Sequence, residues 1–239
     1  MKRFYTLALS EHDAGSGLHR ILLDGRAVKT PARAPLAVPG AALAAAIVSE
    51  WSAQGERIDP ATMPVTGFAN ATIDRVLPDV TGFARTITDY GGSDLFCYRA
   101  GDPVELAAEQ ARLWDPLLDW ARERYGVAFA VTSGIMPVNQ PVETVEQLSA
   151  AVRALDPWLL SGLSTIVSIG GTLLGALALI EGRLSPDQLW SAAHVDEEWQ
   201  ARQWGEDAEA VARTALRRAQ FDDAAHYCAL VAGAPDSAA

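Results

Sequence analysis

Cysteine is scarce in this sequence, and the patterns that use it are missing. Cys97 and Cys228 are the two cysteines among 239 residues, and they lie far apart without forming a C-x-x-C pair. Neither a disulfide framework nor a cysteine-based zinc site is therefore expected. The usage fits a reducing compartment, and we expect a cytoplasmic protein.

Clusters of basic residues are also missing. The chain has 19 Lys and Arg against 30 Asp and Glu, which gives a net charge of -11. A nucleic-acid backbone is met by clustered Lys and Arg. We therefore predict no nucleic-acid partner, and the acidic balance favours solubility or a basic partner instead.

Sequence motifs for catalysis and for nucleotide or metal binding do not occur. The stretches SIGGTLLG and AGSGLHR match neither the P-loop nor the dinucleotide fingerprint, and there is no G-x-S-x-G. His194 and Glu198 are four residues apart on a predicted helix, but H-E-x-x-H is absent. We predict no catalytic residue, cofactor or bound metal. An acidic metal-dependent hydrolase that uses the carboxylates of residues 196–209 remains the alternative.

One stretch, residues 157–180, is long enough to span a membrane because no charged residue lies between Asp156 and Glu181. It nevertheless contains several Ser and Thr residues and four glycines, and it is the single such stretch in an acidic chain. A buried central helix is the preferred interpretation, without stable membrane insertion. The N-terminus shows no apolar run or cleavage pattern of a signal peptide.

The distribution of patterns predicts an α+β protein. Residues 3–38 read as short strands with turns, among them Asp24-Gly25, which suits a two-residue hairpin. Helical spacing begins near residue 40, where Leu43, Ile47 and Trp51 line one face. We predict a small N-terminal antiparallel β domain over residues 1–60 and a larger, mostly helical domain over residues 61–239, with residues 127–134 as a short strand.

Proline and capping residues predict where several helices begin. The sequence DPVE at residues 102–105 predicts an N-cap Asp with Pro at the first helical position, and Asp156-Pro157 and SPDQ at residues 185–188 repeat the device. Asp115-Pro116 lies inside a helical pattern, which predicts either a kink or two helices.

The stretch HVDEEWQARQWGEDAEA, residues 194–210, concentrates carboxylates and two tryptophans. A continuous helix from Pro186 places Asp196 and Gln200 on the apolar face, where both need partners. It places Glu198 outward, as an ion pair with Arg202. Gly205 should end this helix. Glu206 and Asp207 should begin the next one.

Five strings together resemble one known family. They are LDGRAVKTPARAPLAVP, IVSEWSAQGERIDPATMPVT, SDLFCYRA, WDPLLDWA and DEEWQARQWGEDAEA, and their order and distances are similar to those in assembly chaperones for the alpha subunit of the F-type ATP synthase. The resemblance covers residues from about 3 to 231. It implies a small β domain followed by a larger helical domain, as the residue patterns also predict.

The resemblance further implies a function without catalysis. Such chaperones bind the unassembled alpha subunit, protect its beta-facing surface and release it to a beta subunit. The start without a transit peptide and the Ala- and Arg-rich composition suggest a bacterial member that acts in the cytoplasm. We also expect it to be monomeric when free, with eukaryotic relatives in the mitochondrial matrix. The partner-binding residues that match the acidic and aromatic motif are Asp196, Glu197, Glu198, Trp199, Gln200 and Trp204.

Among these six residues, Glu198 is the contact that we expect first. A second candidate region is Met63 to Asp74, where Gly67 stands in place of the family's usual Arg. Trp51 also matches a family position, but its stripe with Ile47 favours a place in the core.

Overall fold

The computed structural model describes residues 1–134, 136–205 and 207–233. The chain divides into two compact units. The first contains Met1–Val80, Asp156–Gly162 and the chain from Asp223, and the second contains Thr81–Leu155 and Leu163–Asp222. The predicted boundary between residues 60 and 61 does not coincide with this division, and it stays a prediction about which parts fold independently.

The first unit begins with a small antiparallel sheet. Its strands are β1 (Ala8–Asp13), β2 (Leu18–Leu23), β3 (Arg26–Ala27) and β4 (Ala37–Val38). Strand β2 pairs antiparallel with each of the other three. Asp24 and Gly25 turn the chain between β2 and β3 with φ of 47° and 76°, the left-handed conformation that a tight hairpin requires. The predicted N-terminal β unit is confirmed.

Two helices of the first unit follow the sheet, α1 (Ala41–Ser52) and α2 (Pro64–Ala71). Leu43 and Ile47 of α1 are fully buried. Trp51 is partly buried against a core cluster that contains Tyr5, Ala8, Leu23, Ile58 and Met63. The Tyr5 hydroxyl donates a hydrogen bond to the Trp51 carbonyl at 2.6 Å. The apolar stripe of α1 therefore belongs to the core, as its spacing predicts.

The rest of the chain is mostly helical. The longer helices are α3 (Val80–Thr88), α4 (Val104–Tyr125), α5 (Val142–Arg153), α6 (Leu160–Gly170), α7 (Leu173–Ile180), α8 (Pro186–Ala193), α9 (Val195–Trp204) and α10 (Ala208–Ala232). Short 3-10 segments cover Pro60–Thr62, Leu77–Asp79, Asp89–Gly92, Leu95–Cys97 and Pro157–Leu159, and a π-helical turn covers Thr72–Val76. Strands β5 (Tyr98–Arg99) and β6 (Thr132–Ser133) form a parallel pair. A small antiparallel sheet before a mostly helical region confirms the predicted α+β class.

The apolar stretch of residues 157–180 is mostly buried, but the prediction of one central helix is wrong. Helix α6 ends at Gly170, and Gly171 adopts a φ of 66°. The hydroxyl of Thr172 then caps α7 by accepting a hydrogen bond from the Gly175 N–H at 2.9 Å. A left-handed glycine followed by a capping threonine starts a new helix. Among the described residues, no helix is both long enough and apolar enough to cross a membrane.

The structure confirms some of the helix starts predicted from proline residues and contradicts others. Ser185 forms the predicted capping box with Gln188, and Asp156 accepts a hydrogen bond from the Trp158 N–H at 2.9 Å. The prediction for residues 102–105 is wrong. Pro103 itself is the N-cap of α4, with an extended ψ of 158° and no capping side chain. Its carbonyl accepts the first helical hydrogen bonds, so Asp102 lies one residue too early. Helix α4 continues through Pro116 as one helix.

Helix α4 is fixed to α8 by a buried tryptophan in the second unit. Trp114 is fully buried, and its indole N–H donates to the Ala192 carbonyl at 2.7 Å. Phe96 stacks on its ring with a centroid distance of 5.4 Å, and the Arg99 guanidinium lies 4.9 Å from its ring centroid. A buried indole needs an acceptor, and the Ala192 carbonyl near the end of α8 supplies it.

Candidate partner-binding site

The acidic and aromatic motif lies on α9, and a bend at His194 separates α9 from α8. His194 has φ −116° and ψ 19°, so it leaves the helical conformation. The prediction of one continuous helix from Pro186 is therefore wrong. A projection at 100° per residue loses its register at this break, which is why some side chains face directions that the sequence did not predict.

His194 is a buried residue that ends α8 and precedes α9. Its ring stacks on Trp190 with a centroid distance of 3.7 Å, and its Nδ1 lies 3.0 Å from the Trp190 carbonyl oxygen. Burial lowers the pKa of this imidazole, and Arg217 acts in the same direction. Because desolvation disfavours the charged form, His194 is neutral at pH 7.

Asp196 has the internal partner that the sequence analysis required. It is half-buried, and its Oδ1 accepts a hydrogen bond from Gln110 Nε2 of α4 at 2.6 Å. The amide oxygen of Gln110 accepts from the Ala100 N–H at 2.7 Å. The Nε2 end of the Gln110 amide therefore connects α4 to α9, and its oxygen connects α4 to the chain just after β5. No other hydrogen bond to Asp196 comes from the described part of the chain, so its Oδ2 is unpaired there.

The predicted surface pair of Glu198 and Arg202 is wrong. Glu198 is half-buried, and Arg202 donates to Glu109 of α4 at 2.8 Å instead. The Arg202 guanidinium also lies 5.5 Å from the ring centroid of Trp199. Because the bend at His194 changes the direction of α9, the basic side chain reaches α4. Glu198 is thus a weaker candidate for a first contact than its projected position suggests.

Three of the six predicted partner-binding side chains are exposed. Glu197 and Gln200 point away from the core, although Gln200 was predicted on the apolar face. Trp204, the last residue of α9, is 80% exposed. Trp199 is half-buried. These six residues therefore present one acidic, one amide and one large aromatic side chain outward, while Asp196 connects α9 to α4.

The end of α9 follows the prediction in part. Gly205 ends the helix with a φ of 83°, a conformation that favours glycine. Asp207 lies before α10, and its carboxylate accepts a hydrogen bond from the Ala210 N–H at 3.0 Å. This carboxylate serves the helix start, as predicted. Glu206 lies outside the described residues.

A cleft of about 260 Å³ opens at the start of α9. We call it the α9 cleft, and the residues that matter for its chemistry are Trp114, Ser168, Gly170, Asp196, Glu197 and Arg217. They come from α4, α6, α9 and α10, and all of them lie in the second unit. No local motif predicts this cleft, because its walls come from distant parts of the chain.

The second candidate region, Met63 to Asp74, uses its polar groups internally. Glu50 caps α2 by accepting hydrogen bonds from the Val65 N–H at 2.7 Å and the Thr66 N–H at 2.8 Å. Asp74 accepts from the Thr30 hydroxyl at 2.6 Å. Gly67 is exposed, and a Cβ atom added to it would meet no other atom within 4 Å. A larger residue would fit at Gly67, and a partner contact there stays a prediction.

Both cysteines are internal. Cys97 and Cys228 are buried, and burial raises the pKa of each thiol to about 12. A thiol with so high a pKa is a poor nucleophile. Within residues 1–134, 136–205 and 207–233, no group of three or more His, Cys, Asp or Glu side chains is arranged to hold a metal ion.

Aromatic residues are enriched at protein interfaces, so the exposed Trp204, on a helix that is hydrogen-bonded to α4, favours a protein that binds other proteins. Comparison with known proteins gives the family. The ATP12 chaperone protein family matches residues 2–122, and this chain belongs to that family. The resemblance drawn from the sequence is thereby confirmed.

Solved structures extend the similarity over nearly the whole chain. The crystal structure of Atp12 from Paracoccus denitrificans is 39% identical, covers 96% of this chain and 98% of its own, and gives a TM-score of 0.91. An aspartate-to-lysine variant of the same protein gives the same identity and TM-score, with 96% and 97% covered. The Atu1473 protein of Agrobacterium tumefaciens is 40% identical, with 95% and 85% covered and a TM-score of 0.89.

Proposed function

We propose that this chain is a chaperone that binds the unassembled alpha subunit of the F-type ATP synthase. It covers the beta-facing surface of that subunit until a beta subunit takes its place, and it does so without catalysis. Membership of the ATP12 chaperone family carries the proposal. The alpha subunit as partner goes beyond the family description and rests on the resemblance of the motif strings.

The surface of α9 supports the proposed contact site. Trp204 is 80% exposed, and a large exposed aromatic residue loses water-accessible apolar area when a partner covers it. Trp is also enriched among the residues that dominate binding energy at protein interfaces. Glu197 and Gln200 lie exposed on the same helix, where they can form polar contacts at the rim.

The half-buried members of the motif have a supporting role in this proposal. Asp196 is bonded to Gln110 of α4, which holds α9 in position. Trp199 lies near the guanidinium of Arg202, and Arg202 in turn binds Glu109 of α4. Positioning a recognition helix in advance lowers the entropic cost of binding. All six predicted residues remain in the proposed site, with Trp204 and Glu197 as the outward contacts.

The setting of the proposed function is the bacterial cytoplasm. We propose a protein that is monomeric when free and that needs no cofactor, nucleic acid or membrane insertion to hold its partner. The net charge of -11 favours a partner surface with basic side chains, since complementary charge speeds encounter.

Co-expression with the cognate alpha subunit tests the proposal. We expect alpha to be more soluble in the presence of this chain and to co-purify with it, whereas the beta subunit expressed alone should not co-purify. Addition of beta to the complex should displace the chaperone. If alpha neither co-purifies nor becomes more soluble, the proposed partner is wrong.

A matched pair of variants then tests the site. Trp204→Ala should reduce co-purification of alpha, whereas Trp120→Ala on α4 changes a tryptophan outside the motif and should not. Thermal unfolding of both variants controls for lost stability. Equal capture by the two variants would place the contact elsewhere on the chain.

A further inference from the structure

The α9 cleft has the size of a site for one side chain. Its volume is about 260 Å³, whereas small-molecule and cofactor sites usually have roughly 300–1,000 Å³. Glu197, an exposed residue at the start of α9, lines it, so a protein that covers Glu197 can also reach the cleft. These two features point to a pocket for an anchor residue of a bound protein.

The charges of the α9 cleft favour a cation. Asp196 and Glu197 contribute two carboxylates, against one guanidinium from Arg217. Glu197 has no ion-pair partner within 4.0 Å among the described residues, and Asp196 keeps one oxygen unpaired there. Arg217 is already engaged, since it donates to the Ile169 carbonyl at 2.8 Å. His194 adds no charge at pH 7, because burial lowers its pKa.

The lining of the α9 cleft also suits a long side chain with an apolar stem. Leu95 and the buried Trp114 contribute apolar surface, and Gly170 and Gly171 leave one wall without side chains. Lys and Arg bury their methylene stems along apolar surface while the charged head stays among polar groups. Arg additionally offers a planar fork of donors that matches carboxylate oxygens.

We propose that the α9 cleft binds the side chain of one arginine of the captured partner, with its guanidinium held by Asp196 and Glu197. The inference rests on the proposed function in that a partner must be captured, and it deepens that function by naming the anchor. Arg217 limits the affinity, because it places a like charge beside the bound guanidinium.

Filling the cleft is the first test. Ser168 is an exposed residue of α6 that lines the cleft, so Ser168→Trp should block it at little cost to the fold. Gln147→Trp makes the same substitution at an exposed position of α5 and serves as the control. We expect Ser168→Trp to weaken capture of alpha by about tenfold or more, within the range for a buried anchor, and Gln147→Trp to leave it unchanged.

Removing single charges is the second test, because removing a negative and removing a positive charge should change the capture of alpha in opposite directions. Glu197→Gln should weaken capture of alpha several-fold, whereas Arg217→Gln should strengthen it, since it removes the repulsion. The Arg217→Gln gain should shrink at high salt, which screens the repulsion. Weaker capture by Arg217→Gln at an unchanged melting temperature would overturn the assignment of a cationic occupant.

A third measurement needs no partner protein. N-acetyl-arginine amide is titrated into the wild-type chain while the NMR resonances of the Gly170 and Gly171 amides and the Trp114 indole are followed. We expect saturable shifts that N-acetyl-citrulline amide, neutral but of the same shape, does not cause and that Ser168→Trp abolishes. Equal shifts with both probes, no saturable shift, or stronger shifts with blocked lysine would overturn the assignment of arginine.

These measurements separate the two proposals. If wild type does not capture alpha but the arginine probe saturates the cleft, the partner is wrong and the cleft assignment stands. If wild type captures alpha while Ser168→Trp captures it equally and the probe does not bind, the cleft assignment fails alone.

Discussion

The interior of the second unit and the surface of α9 use the same residue types for opposite purposes. Asp94 is fully buried, and its two oxygens accept hydrogen bonds from the Phe96 and Leu174 N–H groups at 3.0 Å and 2.9 Å. Glu197 is exposed on α9. Trp114 is fully buried whereas Trp204 is 80% exposed. Burial and partners, rather than residue type, decide which carboxylates and tryptophans hold the fold and which remain available to a partner.

The two tryptophans give the largest expected contrast in stability. Trp114→Ala removes a fully buried indole and its bond to Ala192, so we expect the free energy of unfolding to fall by about 3–5 kcal/mol. Trp204→Ala should change it by less than about 0.5 kcal/mol. Urea unfolding of both variants measures the difference, and similar losses would contradict the assignment of the two rings.

The two carboxylates give the next contrast. Asp94→Asn keeps one acceptor but turns an amide donor toward a backbone N–H, so it should lower the free energy of unfolding by about 1–3 kcal/mol at pH 5. Glu197→Gln should leave the free energy of unfolding unchanged within about 0.5 kcal/mol. If Glu197→Gln lowered the free energy of unfolding as much as Asp94→Asn does, the distinction between the α9 surface and the interior of the second unit would not hold.

The pH dependence of the free energy of unfolding is a further test of the burial of Asp94. Burial raises its pKa from 3.8 to about 6, so the folded state binds the proton more tightly than the unfolded state. The contribution of Asp94 to the free energy of unfolding is therefore most favourable below pH 3.8, and it is lost as the pH rises through about 6. At the usual 1.36 kcal/mol per pKa unit, the change is roughly 3 kcal/mol. The free energy of unfolding of wild type, minus that of Asp94→Asn, should therefore fall over this interval. A difference that is flat with pH would show that the Asp94 pKa is not raised.

Asp196 is half-buried, between the fully buried Asp94 and the exposed Glu197. Its replacement should therefore have a smaller effect on the free energy of unfolding. Asp196→Ala leaves the Gln110 amide without its acceptor on α9, so we expect a loss of about 1 kcal/mol together with weaker capture of alpha. Gln200→Ala, an exposed neighbour on α9, should leave the melting temperature unchanged. A melting temperature for Asp196→Ala equal to that of Gln200→Ala would mean that the bond to Gln110 does not brace the helix.

Local patterns predicted most of the fold because local physics decides those elements. The Asp24-Gly25 turn, the buried stripe of α1 and the capping box at Ser185 each depend on neighbours within a few residues. The failures occurred where a single backbone conformation interrupts a helix. Gly171 divides residues 157–180, where the Gly170-Gly171 pair before Thr172 is a turn signal within an otherwise apolar run. His194 divides α8 from α9 without a breaking residue in its surroundings.

The location of the candidate site on residues 196–204 rests on the motif strings and stays a prediction, whereas some of the predicted side-chain orientations were wrong. The directions of Glu198 and Arg202 depended on the bend at His194, which the stack on Trp190 and the bond from Trp114 to Ala192 hold in place. The α9 cleft was beyond reach of the sequence because its walls join α4, α6, α9 and α10. Tertiary contacts of this kind leave no periodic trace in the chain.

The account depends most directly on the role of the α9 surface in capturing the alpha subunit. The decisive measurement is the dissociation constant of the complex with alpha for wild type and for Trp204→Ala, with unfolding measured on the same samples. We predict that Trp204→Ala weakens binding by about thirtyfold, which corresponds to the roughly 2 kcal/mol of an interface hot spot, while stability is unchanged. Equal dissociation constants for the two proteins would contradict the account.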